Sequence, residues 1–137
     1  MYREMIYKTA AEALSVIQSN QRVFVQGSAQ TPLFLLRELA KQSSRLTNVE
    51  MVFITVQGDI TIDKPEYEGI FNINCMFVSE SIRKAVNEGR ADFIPVFLSD
   101  IPDLFKKGYL PIDVALVQVS PPDRHGYCSL GVSVDIA

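Results

Sequence analysis

Short apolar segments alternate with helical segments along the chain, and this alternation constrains the fold more than any other feature of the sequence. Capping residues, terminal glycines or an apolar stripe predict helices at residues 9–18, 31–40, 79–87 and 99–107. Strands are predicted at residues 22–26, 49–55, 70–78, 92–98 and 113–119. Because strands that alternate with helices usually pair in parallel, we predict one α/β domain over residues 1–137, with an open, mostly parallel sheet and flanking helices.

Several local signals place the ends of these elements. Thr9 and Glu12 have the spacing of a capping box, and Thr31 is expected to cap the second helix, with Pro32 as its first residue. Pro95 cannot donate to a β-ladder, so the strand at residues 92–98 is expected at an edge or to end early. The strand at residues 113–119 is the most apolar and is expected at the centre of the sheet.

Composition excludes several classes of function. The formal net charge of −3 and the lack of a basic run longer than Lys106–Lys107 argue against nucleic acid or an acidic membrane as partner. No apolar stretch approaches the roughly 20 residues of a membrane helix, and residues 1–13 carry charges where a signal peptide needs an apolar core. Cys75 and Cys128 form no CxxC pair, so we expect reduced thiols in a cytoplasmic protein.

Residues 118–135 (QVSPPDRHGYCSLGVSVD) are the first candidate for a functional site. They follow an apolar strand, and the ends of such strands line the ligand crevice of open α/β sheets. The loop holds the only histidine, His125, before an alternating run that resembles a strand. A donor or orienting role for His125 and a simple exposed turn fit the composition equally well. Cys128 is interpreted as a small buried residue rather than a nucleophile.

The turn at residues 27–32 (GSAQTP) is the second candidate. A glycine after a strand lets the backbone approach a ligand, and the following helix start presents free amides to an anion. Physical reasoning alone still favours an ordinary β–α turn. Arg83 and Arg90 offer a third candidate anion site, but a solvated helix face with Glu80 and Lys84 paired is the simpler interpretation. We expect no metal site, because one histidine and two distant cysteines are too few ligands.

Four ordered blocks of the sequence resemble the amino-terminal part of the acetyl-CoA hydrolase/transferase family, which includes the acetate and 4-hydroxybutyrate CoA-transferases. The blocks are TAAEALSVIQSNQRVFVQGSAQTP, RELAKQSSRLTNVEMVFITVQGD, SESIRKAVNEGRADFIPVFLSDIPDLF and, most specific, VALVQVSPPDRHGYCSLGVSVD. The resemblance implies a CoA-transferase/NagB-like fold that is incomplete over residues 1–137. The family's second α/β domain, with most of the CoA-binding glycine loop, is expected beyond Ala137.

The resemblance also implies a mechanism. A glutamate attacks an acyl-CoA thioester, a glutamyl-CoA thioester forms, and an incoming carboxylate such as acetate regenerates the glutamate. That glutamate belongs to the second domain, so no catalytic residue is assigned here and this chain alone is expected to be inactive. The resemblance places a set of substrate-binding residues on two strand-end loops of the amino-terminal wall of the acyl pocket. They are Gly27, Ser28, Gln30, Pro122, His125, Gly126 and Tyr127.

The partners implied are an acyl-CoA, with coenzyme A as substrate rather than resident cofactor, a small carboxylate, the second domain or a partner chain, and a second copy in a homodimer. Three alternatives remain open at this point. The protein is an acetyl-CoA hydrolase, or a non-catalytic fragment or partner subunit, or, ranked lowest, an enzyme like a sugar-phosphate isomerase. The last alternative needs a phosphate loop richer in Ser, Thr, Gly and Lys than GSAQTP.

Overall fold

The computed structural model describes residues 7–137, which form a five-stranded sheet with helices on both faces. All four strand pairings are parallel, as the alternation of elements predicted. The elements in chain order are α1 (Ala10–Leu14), β1 (Arg22–Val25), α2 (Leu33–Ala40), β2 (Val49–Phe53), β3 (Phe71–Cys75), α3 (Glu80–Asn87), β4 (Ala91–Phe93), α4 (Ile101–Lys106) and β5 (Val114–Leu116). Short 3-10 turns lie at Ser43–Arg45, Pro65–Tyr67 and Leu98–Asp100.

The strand order is β4-β3-β2-β1-β5, which confirms one positional prediction and overturns another. β4 lies at an edge and ends before Pro95, as expected of a strand that a proline interrupts. β5 lies at the other edge of the described sheet, so the prediction of a central position was wrong. Apolar composition did not reveal this, because β5 buries one face only: Leu116 is buried whereas Ala115 is exposed.

The two faces of the sheet are covered unequally. One face packs against α1, α2 and α3 and forms the main core, in which Leu14, Leu39 and Ile82 are almost fully buried. The other face packs against α4 through a smaller cluster of Val52, Ile54, Met76 and Ile101. Such burial of apolar area is the main stabilising contribution to a domain of this size.

The helix signals were correct in kind and less accurate at the ends. The Thr9–Glu12 capping box is present, with the Thr9 amide 2.9 Å from Glu12 Oε2, but α1 ends at Leu14 rather than near residue 18. Thr31 does not cap α2, whose N-cap is Pro32. Its hydroxyl instead donates to the Ser28 carbonyl at 2.7 Å and accepts from the Gln57 amide, so it braces the turn before the helix.

The alternating run after Cys128 is not a strand, which corrects a further expectation. Gly131 and Asp135 both adopt left-handed backbone conformations that break an extended chain. The side chains of Gln26 and Gln30, just after β1, donate to the carbonyls of Ser133 and Leu130 in this run. Cys128 is exposed rather than buried, because it lies in this looping segment; Cys75 is buried, and both thiols are free.

No helix within residues 7–137 combines the length and the apolar composition needed to cross a membrane.

Gly27 fills the point of closest approach between the ends of β1 and β2. A Cβ atom at this position would lie 2.1 Å from the Thr55 carbonyl oxygen, well inside van der Waals contact. Gly89, just after α3, has a left-handed φ of +73° and empty space around it. The two glycines therefore satisfy different constraints, one of space and one of backbone conformation.

We expect Gly27→Ala to lower the free energy of unfolding by about 2–3 kcal/mol, because overpacking against backbone cannot relax by a rotamer change. Gly89→Ala serves as the control and should cost about 1 kcal/mol, the price of a left-handed alanine. Denaturant unfolding of both variants measures the difference. Equal losses would show that the close contact with Thr55 is not what requires glycine.

Candidate active site

The crevice of this fold lies at the carboxyl ends of β1, β2 and β5. β2 and β5 flank β1 on opposite sides, although the chain reaches β2 directly from β1 and returns to β5 only after β4. Connections leaving strands at such a reversal of order diverge, and the gap between them is the usual ligand site of open α/β sheets. The segments that meet here follow the ends of these three strands, together with Phe77 after β3 and Leu98 after β4.

A cleft of about 590 Å³ opens at this position. That volume lies within the usual range for small-molecule sites, which is roughly 300–1,000 Å³. Polar and apolar side chains share its lining. The lining residues are Ser28, Ile54, Thr55, Phe77, Leu98, Ser133, Asp135 and Ile136.

The turn after β1 forms one wall of the cleft. The Ser28 amide donates to the Thr55 carbonyl at 3.1 Å, and the hydroxyl oxygens of Ser28 and Thr55 are also 3.1 Å apart. Ser28 has a φ of 54°, an uncommon conformation for a non-glycine residue. These contacts fix a pair of hydroxyl groups at the lining of the cleft.

The Gln26 side chain ties the chain that follows β5 to this wall. Gln26 is completely buried. Its Oε1 accepts from the Gln118 amide at 2.7 Å, and its Nε2 donates to the Ser133 carbonyl at 3.0 Å. One side-chain amide thus holds both the start and the return of the loop.

Gln30 makes a second set of contacts to the same loop. Its Nε2 donates to the Leu130 carbonyl at 3.0 Å, and its Oε1 accepts from Gln118 Nε2 at 2.9 Å. Gly131 passes so close that a Cβ atom there would lie 1.8 Å from Gln30 Nε2. Gln30 therefore holds the loop in place through these contacts but does not itself line the cleft.

Asp135 lies against Gly27 and lines another part of the cleft. Its Oδ2 accepts from the Gly27 amide at 2.7 Å. Burial raises the pKa of this carboxyl above its usual value, and the hydrogen bonds from the Gly27 and Ile136 amides oppose that shift. The cleft therefore contains a carboxyl group whose charged form is partly desolvated.

The histidine loop forms a separate, largely exposed excursion. Its base is closed by the Ser120 amide bonded to the Ser129 carbonyl at 2.9 Å. Asp123 Oδ1 accepts from the amides of His125 and Tyr127 at 2.8 and 3.0 Å, which shapes the tip. His125 is exposed, and its Nε2 lies 3.0 Å from Arg124 Nε.

The seven residues named from the resemblance thus fall into two groups. Ser28 lines the cleft, and Gly27 and Gln30 lie directly behind it. Pro122, His125, Gly126 and Tyr127 lie on the excursion and do not line the cleft formed by residues 7–137. The structure therefore does not bring the two groups together at one surface.

Sequence reasoning missed most of the other lining residues. Thr55 and Phe77 each lie two positions beyond the end of a strand, so a search of every strand end would have found them. Ser133 and Asp135 carried no such signal, because the run around them was interpreted as a strand. Within residues 7–137 no three His, Cys, Asp or Glu side chains are grouped so as to hold a metal ion.

The third candidate segment forms ion pairs: Arg83 lies on α3, whereas Arg90 lies just after that helix. Arg90 pairs with Glu88 at 2.5 Å and donates to the Asp63 carbonyl, while Lys84 pairs with Glu88 at 3.9 Å rather than with Glu80 as expected. The expected pair of Glu80 with Lys84 is therefore not formed, and the Arg90 side chain is only 13% exposed rather than solvated.

The raised pKa of Asp135 predicts a specific pH effect on stability. The folded protein holds the Asp135 proton at a pH where the unfolded chain, near pKa 3.8, has lost it, so stability falls as pH rises above 3.8 through the folded-state pKa. Asp135→Asn should remove this contribution. Asp63, whose pKa burial also raises, is present in both proteins and cancels in the comparison.

The measurement is the free energy of unfolding of both proteins from pH 3.5 upward. The advantage of Asp135→Asn over the native protein should grow with pH and then level off. Parallel curves would show that burial does not perturb this carboxyl.

Comparisons with known proteins agree with this geometry. The family model for the acetyl-CoA hydrolase/transferase N-terminal domain matches residues 2–137. A 4-hydroxybutyrate coenzyme A transferase of Clostridium kluyveri is 41% identical over 136 residues, which are 96% of this chain and 32% of that protein. A succinyl-CoA:acetate/propanoyl-CoA:succinate CoA transferase of Fasciola hepatica is 39% identical over 127 residues, 91% of this chain and 26% of that protein.

A solved structure has the same architecture. RipA from Yersinia pestis superposes with a TM-score of 0.79 at 28% identity, over 91% of this chain and 31% of that one. The chain therefore spans about a third or less of the length of the relatives it matches. With the family model covering nearly every residue, the chain belongs to the acetyl-CoA hydrolase/transferase family, in which it corresponds to the N-terminal domain.

Proposed function

We propose that this chain forms the amino-terminal wall of the active site of a CoA-transferase, which moves CoA between an acyl-CoA and a small carboxylate such as acetate. The observation that carries the proposal is the cleft at the strand-order reversal, with the Ser28 and Thr55 hydroxyls at its lining. Family membership supports CoA transfer as the chemistry. Coenzyme A enters as a substrate, and no resident cofactor is invoked.

The covalent steps in this proposal use a glutamate outside residues 1–137. Its carboxylate attacks the thioester carbon and expels CoA thiolate, which leaves an acyl-glutamyl anhydride. The thiolate then attacks the glutamyl carbonyl, releases the acyl group as a carboxylate and forms the glutamyl-CoA thioester. An incoming carboxylate reverses both steps, so the exchange is balanced and the glutamate is regenerated.

The residues of this chain would contribute binding and water exclusion rather than bond making. Of the bonded pair of hydroxyls on Ser28 and Thr55, one keeps a proton to donate at a fixed position, which suits an acyl oxygen that gains charge. The walls tied by Gln26 and Asp135 would limit water around the anhydride, and exclusion of water separates transfer from hydrolysis. Without the glutamate, residues 1–137 alone are expected to be inactive, and a homodimer is the assembly we propose for the whole protein.

The first test is an acceptor-dependence assay on the full-length protein that contains this domain. With acetyl-CoA as donor and butanoate as acceptor, chromatography should show butanoyl-CoA formed in step with acetyl-CoA consumed. Butanoate should be required for most of the loss of acetyl-CoA. Release of free CoA at the same rate without butanoate would establish the hydrolase alternative instead.

The proposed role of the histidine loop gives a second prediction. His125→Ala in the full-length protein should lower turnover or raise the share of acetyl-CoA lost to hydrolysis, because the loop is proposed to shape the pocket and exclude water. Tyr109→Ala, an exposed aromatic on the turn after α4, serves as the control. The same assay measures both variants, and unchanged kinetics in His125→Ala would contradict any role for this loop in the site.

A further inference from the structure

The cleft lining separates into a polar and an apolar group, each held together by its own contacts. The polar group surrounds Gly27: Asp135 accepts from its amide, Ser133 Oγ lies 3.5 Å from its carbonyl oxygen, and Ser28 bonds Thr55. The apolar group consists of Ile54, Phe77, Leu98 and Ile136. A ligand that fills this cleft therefore meets hydrogen-bonding groups at one part and hydrocarbon at the other.

The apolar group lies beside the carboxyl ends of β2 and β3, next to α4. The Phe77 amide donates to the Ile54 carbonyl at 2.9 Å, which continues the bonding between β2 and β3 beyond the strands. Ile54 is buried in the cluster under α4, and Ile136 packs against the same cluster. Leu98 opens the 3-10 turn that leads into α4.

Two members of this group present large apolar surfaces to the cleft. Phe77 is 38% exposed and Leu98 is 63% exposed, whereas Ile54 is 8% exposed. Exposed apolar side chains that line a concave site next to fixed polar groups commonly contact the hydrocarbon part of a ligand. Short-chain carboxylates and their thioesters have this division, with oxygen atoms at one end and methylenes at the other.

We propose that Phe77 and Leu98 bind the hydrocarbon part of the acyl group or carboxylate acceptor and limit the chain length that the enzyme uses. This inference rests on the proposed CoA-transferase function and adds its specificity. The polar group around Gly27 and Ser28 binds the oxygen-bearing end of the acyl group or carboxylate. Phe77, whose backbone is hydrogen-bonded to Ile54, limits the chain length on one side of the cleft. Leu98, which is more exposed, limits it on the other side.

The size of the effect follows from apolar transfer free energies. Each additional methylene buried against Phe77 and Leu98 changes binding about fourfold, and pockets that discriminate by one methylene reach tenfold or more. Shortening Phe77 opens room, so longer acids gain relative to acetate. Enlarging it removes room and has the opposite effect.

The experiment measures kcat/KM of the full-length protein for acetate, propanoate, butanoate and hexanoate with one acyl-CoA donor. The quantity compared is the ratio for hexanoate over acetate within each variant, because a general loss of folding or activity cancels in that ratio. Phe77→Ala should raise the ratio about tenfold, Phe77→Trp should lower it, and Leu98→Ala should raise it in the same direction as Phe77→Ala.

Phe93→Ala is the matched control. Phe93 is 48% exposed at the same edge of the sheet but lines a neighbouring hollow with Pro95 and Phe97, outside the cleft. Its ratio should stay within about twofold of the native protein, since shortening Phe93 opens no room in the cleft.

The outcomes separate this inference from the proposed function. If the native protein transfers CoA but the ratio in Phe77→Ala equals that in Phe93→Ala, the inference is overturned while the function stands. An unchanged ratio in Phe77→Ala overturns the inference even if the unfolding temperature falls, because Phe77 is only 38% exposed and its truncation destabilises the domain in either case. Absence of transfer to every acceptor in the native protein would overturn the function and this inference together.

Discussion

The two hydrogen bonds of the buried Gln26 amide are the contact on which the arrangement of the carboxyl edge depends. The β1–β5 ladder ends where the Gln26 backbone amide bonds the Leu116 carbonyl at 3.0 Å. Beyond that point the side chain takes over, bonding the Gln118 amide and the Ser133 carbonyl, which is 107 positions away in the chain. Because an apolar residue here would leave the Gln118 amide and the Ser133 carbonyl without these partners, the Gln26 side chain holds the loop in this path.

Fixing that path positions everything else at the cleft. Ser133 and Asp135 reach the β1 turn because the chain returns over it, and Asp135 then bonds the Gly27 amide. Gly27 leaves room for the Thr55 carbonyl, which in turn receives the Ser28 amide and sets the two hydroxyls side by side. The polar part of the cleft is thus a product of close backbone packing rather than of a cluster of reactive side chains.

The unequal covering of the sheet explains where apolar surface remains. Within residues 7–137, three helices cover one face and α4 is the helix on the other, and the apolar lining of the cleft continues from the cluster beneath α4. Relatives that share this domain are about three to four times its length. A wall with hydroxyls beside hydrocarbon suits a substrate with a polar reacting centre and a short apolar chain, which is why the two proposals concern the same surface.

By itself the sequence determined the local elements, their parallel pairing, the edge position of the strand before Pro95 and the family to which the chain belongs. These depend on periodicity, on capping chemistry as at Thr9 and on the proline's missing donor, all of which act over a few residues. Only the tertiary structure decided that β5 lies at an edge, that residues 128–134 loop back instead of pairing, and that Ser28 and Asp135 meet while His125 stays on an exposed excursion. The physical reason is that these outcomes depend on hydrogen bonds and packing between segments about a hundred residues apart. Gly27 and Asp135, for example, are separated by 108 positions. No local sequence pattern encodes which distant group will pair with a buried backbone amide.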